Sequence, residues 1–547
     1  MNNSIIFLLL ILFSFQLAAQ EKHSFTRYDY LHGKLTPLRT CFDVKHYDIT
    51  IRIEPDKKFI TARNIITFLV VTDFKKMQID LFKNLKIDSM LLDEKSVSFT
   101  RDSNAVFVSL KEEVKKNELH KLAVYYNGNP VEAKKAPWDG GFVWAKDSSG
   151  TDWVGLACEG LGASCWLPCK DHLSDEPDSV RIRLIVPEKL VGVSNGKLVS
   201  AKRLKYGLAQ YTWEVRNPIN IYDITVNVGN YAHFREIYHS KINTIEQNLP
   251  LDFYVLKENE RKAKDYLATD VTNMLNCFEL RFGAYPFWND GYKMVETPYW
   301  GMEHQSCIAY GNNYKKNEYD FDFIIIHESG HEWFGNSLSC TDPAEMWIHE
   351  SFTTYAEALF VECNYGYQSY LNYLRQQKKL IENKEPMIGP YDVYFHGRKD
   401  NDIYYKGTWV LHTLRSVIDN DSVWFALLIK LNQAFYKSNV TTKQIVNFFS
   451  ENVHRDMTKF FEQYLFQTEI PELEYKIVDT GSKLELHFRW KNTVSGFDMP
   501  IKATISKDIY DFIVPTKSWQ IIDLNFFNPD DFKIQTEKFL IKLKKTG

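Results

Sequence analysis

The amino-acid sequence predicts an α+β multidomain protein, and three observations carry that prediction. Over residues 47–234 apolar and polar residues alternate at period two. Over residues 258–465 the apolar residues recur at helical spacing. After Ile470-Pro471 the alternation returns. Period two puts one face of a strand against a core, and i, i+3, i+4 spacing does the same for a helix. At about 150 residues per domain, a chain of 547 residues makes three or four such units.

Residues 5–15 are apolar apart from Ser14, and Ala18 and Ala19 follow. A bilayer-spanning helix needs about twenty residues, so this run fits an export signal cleaved near Ala19 instead. Residues 1–19 are therefore expected to be a signal peptide. The mature protein is expected to be exported, periplasmic or secreted, with no stable membrane insertion. Residues 20–235 read as an N-terminal β-sheet domain. Within it residues 47–53 alternate as a half-buried strand, and residues 210–215 and 222–231 read as further strands. Ser194-Asn195-Gly196-Lys197 sits between β-branched runs and predicts a tight hairpin. Residues 236–470 form the helical unit. Its first helix, over residues 258–282, stops at Gly283-Ala284-Tyr285-Pro286. Residues 471–547 return to strands, residues 483–490 among them, and predict a small β-sandwich-like domain.

Composition removes several classes. Lys plus Arg total 66 and Asp plus Glu total 70, a net charge of −4, so no basic excess points to nucleic acid. Eight cysteines are too sparse for a disulfide scaffold. Cys158, Cys165 and Cys169 fall within twelve residues but lack a paired C-x-x-C form, and they read as buried free thiols.

The chemistry concentrates at His327-Glu328-Ser329-Gly330-His331. It follows the apolar residues 323–326, with Asp322 available as a helix cap. On a helix, i and i+4 share a face, so His327 and His331 present two imidazoles to one point, two of the three protein ligands of a catalytic zinc site. Glu328 is turned about 100° from His327 and lies beside the metal rather than on it, where a carboxylate serves as general base to a zinc-activated water. The pentapeptide by itself also fits two histidines on a buried helix face. Glu350, eighteen residues past His331 on the next helix, supplies the third ligand. Glu357, two turns further, is placed to hold one histidine by its second ring nitrogen. Glu345 and His349 read as structural, because a fourth protein ligand would close the open position.

His-Glu-x-x-His, eighteen residues, then Glu within Trp347-Ile348-His349-Glu350, resembles the gluzincin aminopeptidases, the aminopeptidase N and leukotriene hydrolase type. Trp333-Phe334-Gly335-Asn336 and Phe282-Gly283-Ala284-Tyr285-Pro286-Phe287 extend the resemblance, which covers about residues 47–471. It implies an N-terminal β saddle, a thermolysin-like, mainly helical catalytic domain and one Zn²⁺ per chain. It also implies hydrolysis of the first bond of peptides with a free N-terminus. The family's Gly-x-Met-Glu-Asn strand corresponds to Trp300-Gly301-Met302-Glu303-His304, with Trp300 and His304 departing from it. By this resemblance Glu303 binds the substrate amine, and Gly301 and Met302 bond to the peptide backbone. Cys158-Glu159-Gly160 puts a second amine contact on Glu159. Tyr404-Tyr405-Lys406-Gly407 matches Tyr-x-Lys-Gly, so Tyr404 stabilises the oxyanion. A zinc endopeptidase and a non-catalytic peptide-binding protein of the same fold are the competing readings. The oligomeric state is not encoded in any motif.

Overall fold

A computed structural model describes residues 23–242, 248–526 and 528–546. The export signal expected at residues 1–19 lies outside them. Three regions follow one another: β-rich, then mainly helical, then β again.

The first region is built on an eight-stranded sheet. Its middle strands, Phe42–Glu54 and Ser179–Pro187, run parallel, and Phe59–Val70 and Leu208–Val215 flank them antiparallel. Ser179–Pro187 alternates buried and half-buried along its whole length, which is the period-two signal in three dimensions. A four-stranded sheet contains Gly141–Lys146 and Asp152–Ala157, and a three-stranded sheet completes the region.

The hairpin expected at residues 194–197 is not formed. Val191–Val193 pairs with Asn227–Gly229 in the four-stranded sheet, whereas Lys197–Leu204 pairs with Leu208–Val215 in the large one. The segment is a buried crossing between sheets. Asn195 donates through Nδ2 to the carbonyls of Asp223 and Gln305 at 2.9 and 2.8 Å, and Gly196 takes the positive φ of 73° that the turn requires. Alternation reports which face is buried, not which strand lies alongside. The strand expected over residues 222–231 is likewise broken up. Ile221–Asp223 is a single 3₁₀ turn, and only Asn227–Gly229 is extended before the next strand, Tyr231–His239.

Tyr231–His239 runs across residue 235 and pairs with Asn248–Leu256. These two strands begin a five-stranded sheet that continues through β1 (Tyr292–Glu296), and then β3 (Ile308–Tyr310), and ends at the edge strand β2 (Gly301–Met302). Against it lies a group of helices. Helix α1 (Glu260–Phe282) ends at Gly283, as its sequence predicts. Helix α2 (Phe323–Gly330) is capped by the Asp322 carboxylate, which accepts from the Ile324 amide at 3.1 Å. Helix α3 (Trp347–Tyr365) returns beside it, and α4 (Tyr405–Ile418) packs on α3. Gly330 is explained by this packing. A Cβ there would stand 3.1 Å from Thr353 Cγ2 of α3 and 3.5 Å from Phe278 Cε2 of α1. A disulfide that the cysteine count did not foresee, Cys277–Cys363, ties α1 to α3. Cys158, Cys165 and Cys169 are buried free thiols, as read from the sequence.

The last region holds a four-stranded sheet, with Glu472–Asp479 and Leu484–Lys491 at its centre, and the two-stranded pair Ile501–Ser506 and Ile509–Ile513. Leu486, Trp490, Ile501 and Ala503 are buried between them.

Candidate metal centre and cleft

His327 sits in the last turn of α2, and His331 is its C-terminal cap. The two ring nitrogens Nε2 lie 3.2 Å apart. Glu350, in the first turn of α3, brings Oε2 to 3.5 Å from each of them. A tetrahedral ion with bonds of about 2.05 Å sets its ligands about 3.3–3.4 Å apart, so the three atoms already form one face of such a tetrahedron. Glu350 Oε2 is buried and has no hydrogen-bond partner among the described residues, a costly state that a cation removes. The residues present therefore fit a zinc-type ion.

The remaining atoms of the three ligands are fixed from behind. His327 Nδ1 donates to Glu357 Oε1 at 2.6 Å, and Tyr373 donates to the other oxygen of Glu357 at 2.5 Å. His331 Nδ1 donates to the Phe334 carbonyl at 3.0 Å. Each acceptor fixes the tautomer that leaves Nε2 bare and facing the centre. Burial pushes the His331 ring down to about 4, so it is neutral at pH 7. At His327 burial pulls downward as well, but the nearby Glu350 and Glu357 carboxylates outweigh it and raise the value.

Glu328 lies beside this centre, as its place on the helix predicts. A carboxylate oxygen of Glu328, one of Glu303 and a ring nitrogen of His331 fall within 4.8 Å of one another. Burial raises Glu328 to about 8; His327 opposes the shift, and Glu303 and Glu350 add to it. Glu303 is raised to about 7 by burial and then by Glu350. Glu159, from the loop after Asp152–Ala157, is driven up by burial and by Glu303, Glu350 and Glu328. Glu159, Glu303, Glu328 and Glu350, with Glu357 behind His327, thus converge on one cleft of about 320 Å³, which they share with His327, His331, Gly301, Met302 and Tyr404.

All nine residues singled out in the sequence line this cleft. Tyr404 caps α4 and donates to Glu350 Oε1 at 2.9 Å. Burial and the Glu350 charge hold its hydroxyl well above the usual tyrosine range, so it remains a donor. The Lys-Gly that follows has a packing reason. A Cβ on Gly407 would overlap Ser351, the neighbour of Glu350, so glycine lets α4 approach the ligand helix. His349 is held apart from the centre, its Nε2 accepting from the Cys340 amide at 2.8 Å. His304 is fully buried, with neither ring nitrogen partnered among the described residues, and burial lowers it to about 3.

Sequence reasoning missed four contributors. Tyr222 donates to Glu303 Oε1 at 3.1 Å, and Asn336 donates to the Glu303 carbonyl at 2.9 Å. Asn336 belongs to a motif already noted, Trp333-Phe334-Gly335-Asn336; the motif's use is now plain, since the Phe334 carbonyl orients His331 and Asn336 anchors the backbone of Glu303, just past β2. Tyr222 comes from a 3₁₀ turn that alternation mistook for a strand. Trp138 and Phe323 also line the cleft, and nothing local in the sequence marked them.

Comparison with known proteins follows the same division of the chain. The family model "Peptidase M1 N-terminal domain" matches residues 43–222, and "Peptidase family M1 domain" matches residues 292–464. The leucyl aminopeptidase of Saccharolobus solfataricus is 20% identical over 431 residues, which take in 74% of this chain and 51% of that protein. Aminopeptidase N of Escherichia coli is 22% identical over 250 residues, 42% of this chain and 28% of that one. The chain thus spans about half, or less, of the length of these two curated relatives. Among solved structures, a mutant M1 zinc metallopeptidase of Deinococcus radiodurans bound to a Tyr-Ser-Ala substrate superposes with a TM-score of 0.66 at 19% identity. That match covers 78% of this chain and 95% of the other. With both family models together covering well over half of the residues, the chain belongs to the M1 peptidase family.

Proposed function

We propose that the protein is an exported, zinc-dependent aminopeptidase that hydrolyses the first peptide bond of peptides with a free N-terminus. The observation that carries this reading is the spacing of Glu303, Glu328 and His331 within 4.8 Å. From an α-amine nitrogen to its own carbonyl carbon is about 2.5 Å, given bonds of about 1.46 and 1.52 Å. An ammonium held on Glu303 therefore brings the first carbonyl, and no later one, beside Glu328. An endopeptidase needs room for residues ahead of the scissile bond, and Glu303 with Glu159 occupies that end with buried negative charge. Such charge favours an ammonium strongly, because a desolvated ion pair gains several times its bulk-water energy.

His327, His331 and Glu350 would hold the zinc, which supplies a Lewis acid for the carbonyl and lowers the pKa of water. Glu328 accepts the proton of the attacking water and then delivers it to the leaving amine. Tyr404, kept protonated, donates to the oxygen that gains charge as the carbonyl becomes tetrahedral. Gly301 and Met302 offer backbone groups from the edge strand β2. Export is supported by the Cys277–Cys363 disulfide, since such bonds persist in oxidising compartments. No helix among the described residues is long and apolar enough to cross a membrane.

The test uses aminoacyl amides, each free and N-acetylated, with wild type and Glu328→Ala. Only the free substrates should turn over. Glu328→Ala should lower kcat by about 10²–10⁴, and a zinc chelator should abolish activity. Equal cleavage of acetylated substrates would replace this reading with an endopeptidase. No turnover by a zinc-loaded protein would leave a peptide-binding protein.

A further inference from the structure

A ladder of aromatic rings leads from the metal ligands to the cleft mouth. Phe323, the first residue of α2, stacks on His327 at 5.4 Å between centroids and 20° between planes. Trp300 stacks on Phe323 at 5.7 Å and 23°. Trp138 approaches Trp300 at 6.2 Å and 43° from the opposite side of the cleft. Pro137, Trp138, Trp300 and Phe323 line the same cleft as Glu328. The two outer rings are the exposed ones, Trp138 at 69% and Trp300 at 44%.

Trp300 is held through its ring and Trp138 through its backbone. Trp300 Nε1 donates to Asn312 Oδ1 at 3.1 Å, and Asn312 Nδ2 donates to the Asp322 carboxylate that caps α2, at 2.8 Å. The loop carrying Trp138 is closed by the Asp139 carboxylate, which accepts from the Lys134 and Lys135 amides at 2.7 and 2.8 Å. Its backbone lies directly on the Glu159 loop, since a Cβ on Gly160 would stand 2.9 Å from the Trp138 carbonyl oxygen. An aromatic ring left in water on a concave surface gains most by covering an apolar group.

The order of groups through β2 and the residues flanking it says which group. Glu303 is the amine holder, Gly301 sits against Glu328, and Trp300 comes next outward. An extended chain advances about 3.3 Å per residue, so Trp300 lies up to about 10 Å from Glu303, on the leaving side of the bond. We infer that Trp138 and Trp300 form a subsite that selects peptides bearing an aromatic or large apolar side chain at the second or third position. This rests on the aminopeptidase reading, with the amine on Glu303.

The test holds the first residue constant and compares tripeptides with Phe or Gly at positions two and three, alongside leucinamide, which places nothing there. The wild type should favour Phe over Gly at one of these positions by about tenfold in kcat/KM. Trp138→Ala and Trp300→Gly should each cut that ratio to about threefold or less, with the thermal melt of Trp138→Ala confirming an intact fold. A flat profile in the wild type, or a ratio kept in both variants while leucinamide and peptides still turn over, overturns the subsite alone. No turnover of any free substrate overturns the aminopeptidase reading, and the subsite with it.

Discussion

Gly301 shows how tightly the reacting groups are held. A Cβ at this position would overlap the Glu328 carboxylate and stand 2.9 Å from Ile324 Cγ2 of the metal-motif helix. Its backbone is not in the left-handed region, so the demand is one of space, not of dihedral freedom. Gly301→Ala must therefore either push β2 off α2 or turn Glu328 aside, and a misplacement near 1 Å can cost about a hundredfold in rate. The expected outcome is a fall in kcat of about ten- to a hundredfold, with one zinc per chain retained by elemental analysis. An unchanged kcat would mean that the Glu328 carboxylate does not need its present position.

Helix α3 gathers several of these demands on one element. It supplies Glu350 to the centre, Glu357 to His327, and Thr353 against Gly330. Its far end is tied to α1 by Cys277–Cys363, which closes a loop of 86 residues. Links of this kind typically contribute about 2–4 kcal/mol. Replacing both cysteines by alanine should lower the melting temperature by several degrees under oxidising conditions, and reduction of the wild type should reproduce the loss. Equal melting of the oxidised and reduced wild type would show that helix packing alone carries this contact. The element scale also marks what the sequence could reveal. The ligands lie on two adjacent helices with local periodicity, so their geometry follows from spacing and from the cap at Asp322. Residues 194–197 read as a hairpin because alternation is blind to sheet membership. The disulfide joins residues too far apart for any local pattern. Trp138 reaches the cleft only through the packing of its loop on the Glu159 loop.

No single region of the molecule contains the whole cleft. Glu159 comes from the first region, Glu303 from the five-stranded sheet, Glu328 and the metal ligands from α2 and α3, and Tyr404 from the start of α4. Beyond burial, the carboxylates raise one another: Glu303, Glu350 and Glu328 push Glu159 up, and Glu350 pushes Glu303 up against the pull of His327. That balance asks for two kinds of positive charge, a metal ion on the histidine side and an ammonium on the other. In the proposed reading, selectivity for uncapped peptides is then a property of the assembled molecule. Glu159→Gln and Glu303→Gln each remove one charge-assisted bond, worth about 1.5–3 kcal/mol, so each should raise KM for free peptides by roughly ten- to a hundredfold. In the proposed reading both carboxylates contact the same ammonium, so the double variant should cost less than the sum of the two. The ratio of free to N-acetylated turnover should shrink in step, since the acetylated substrate has no charge to lose. If Glu159→Gln leaves that ratio where it was, the first region shapes the cleft without reading the amine, and Glu303 alone sets the exopeptidase register.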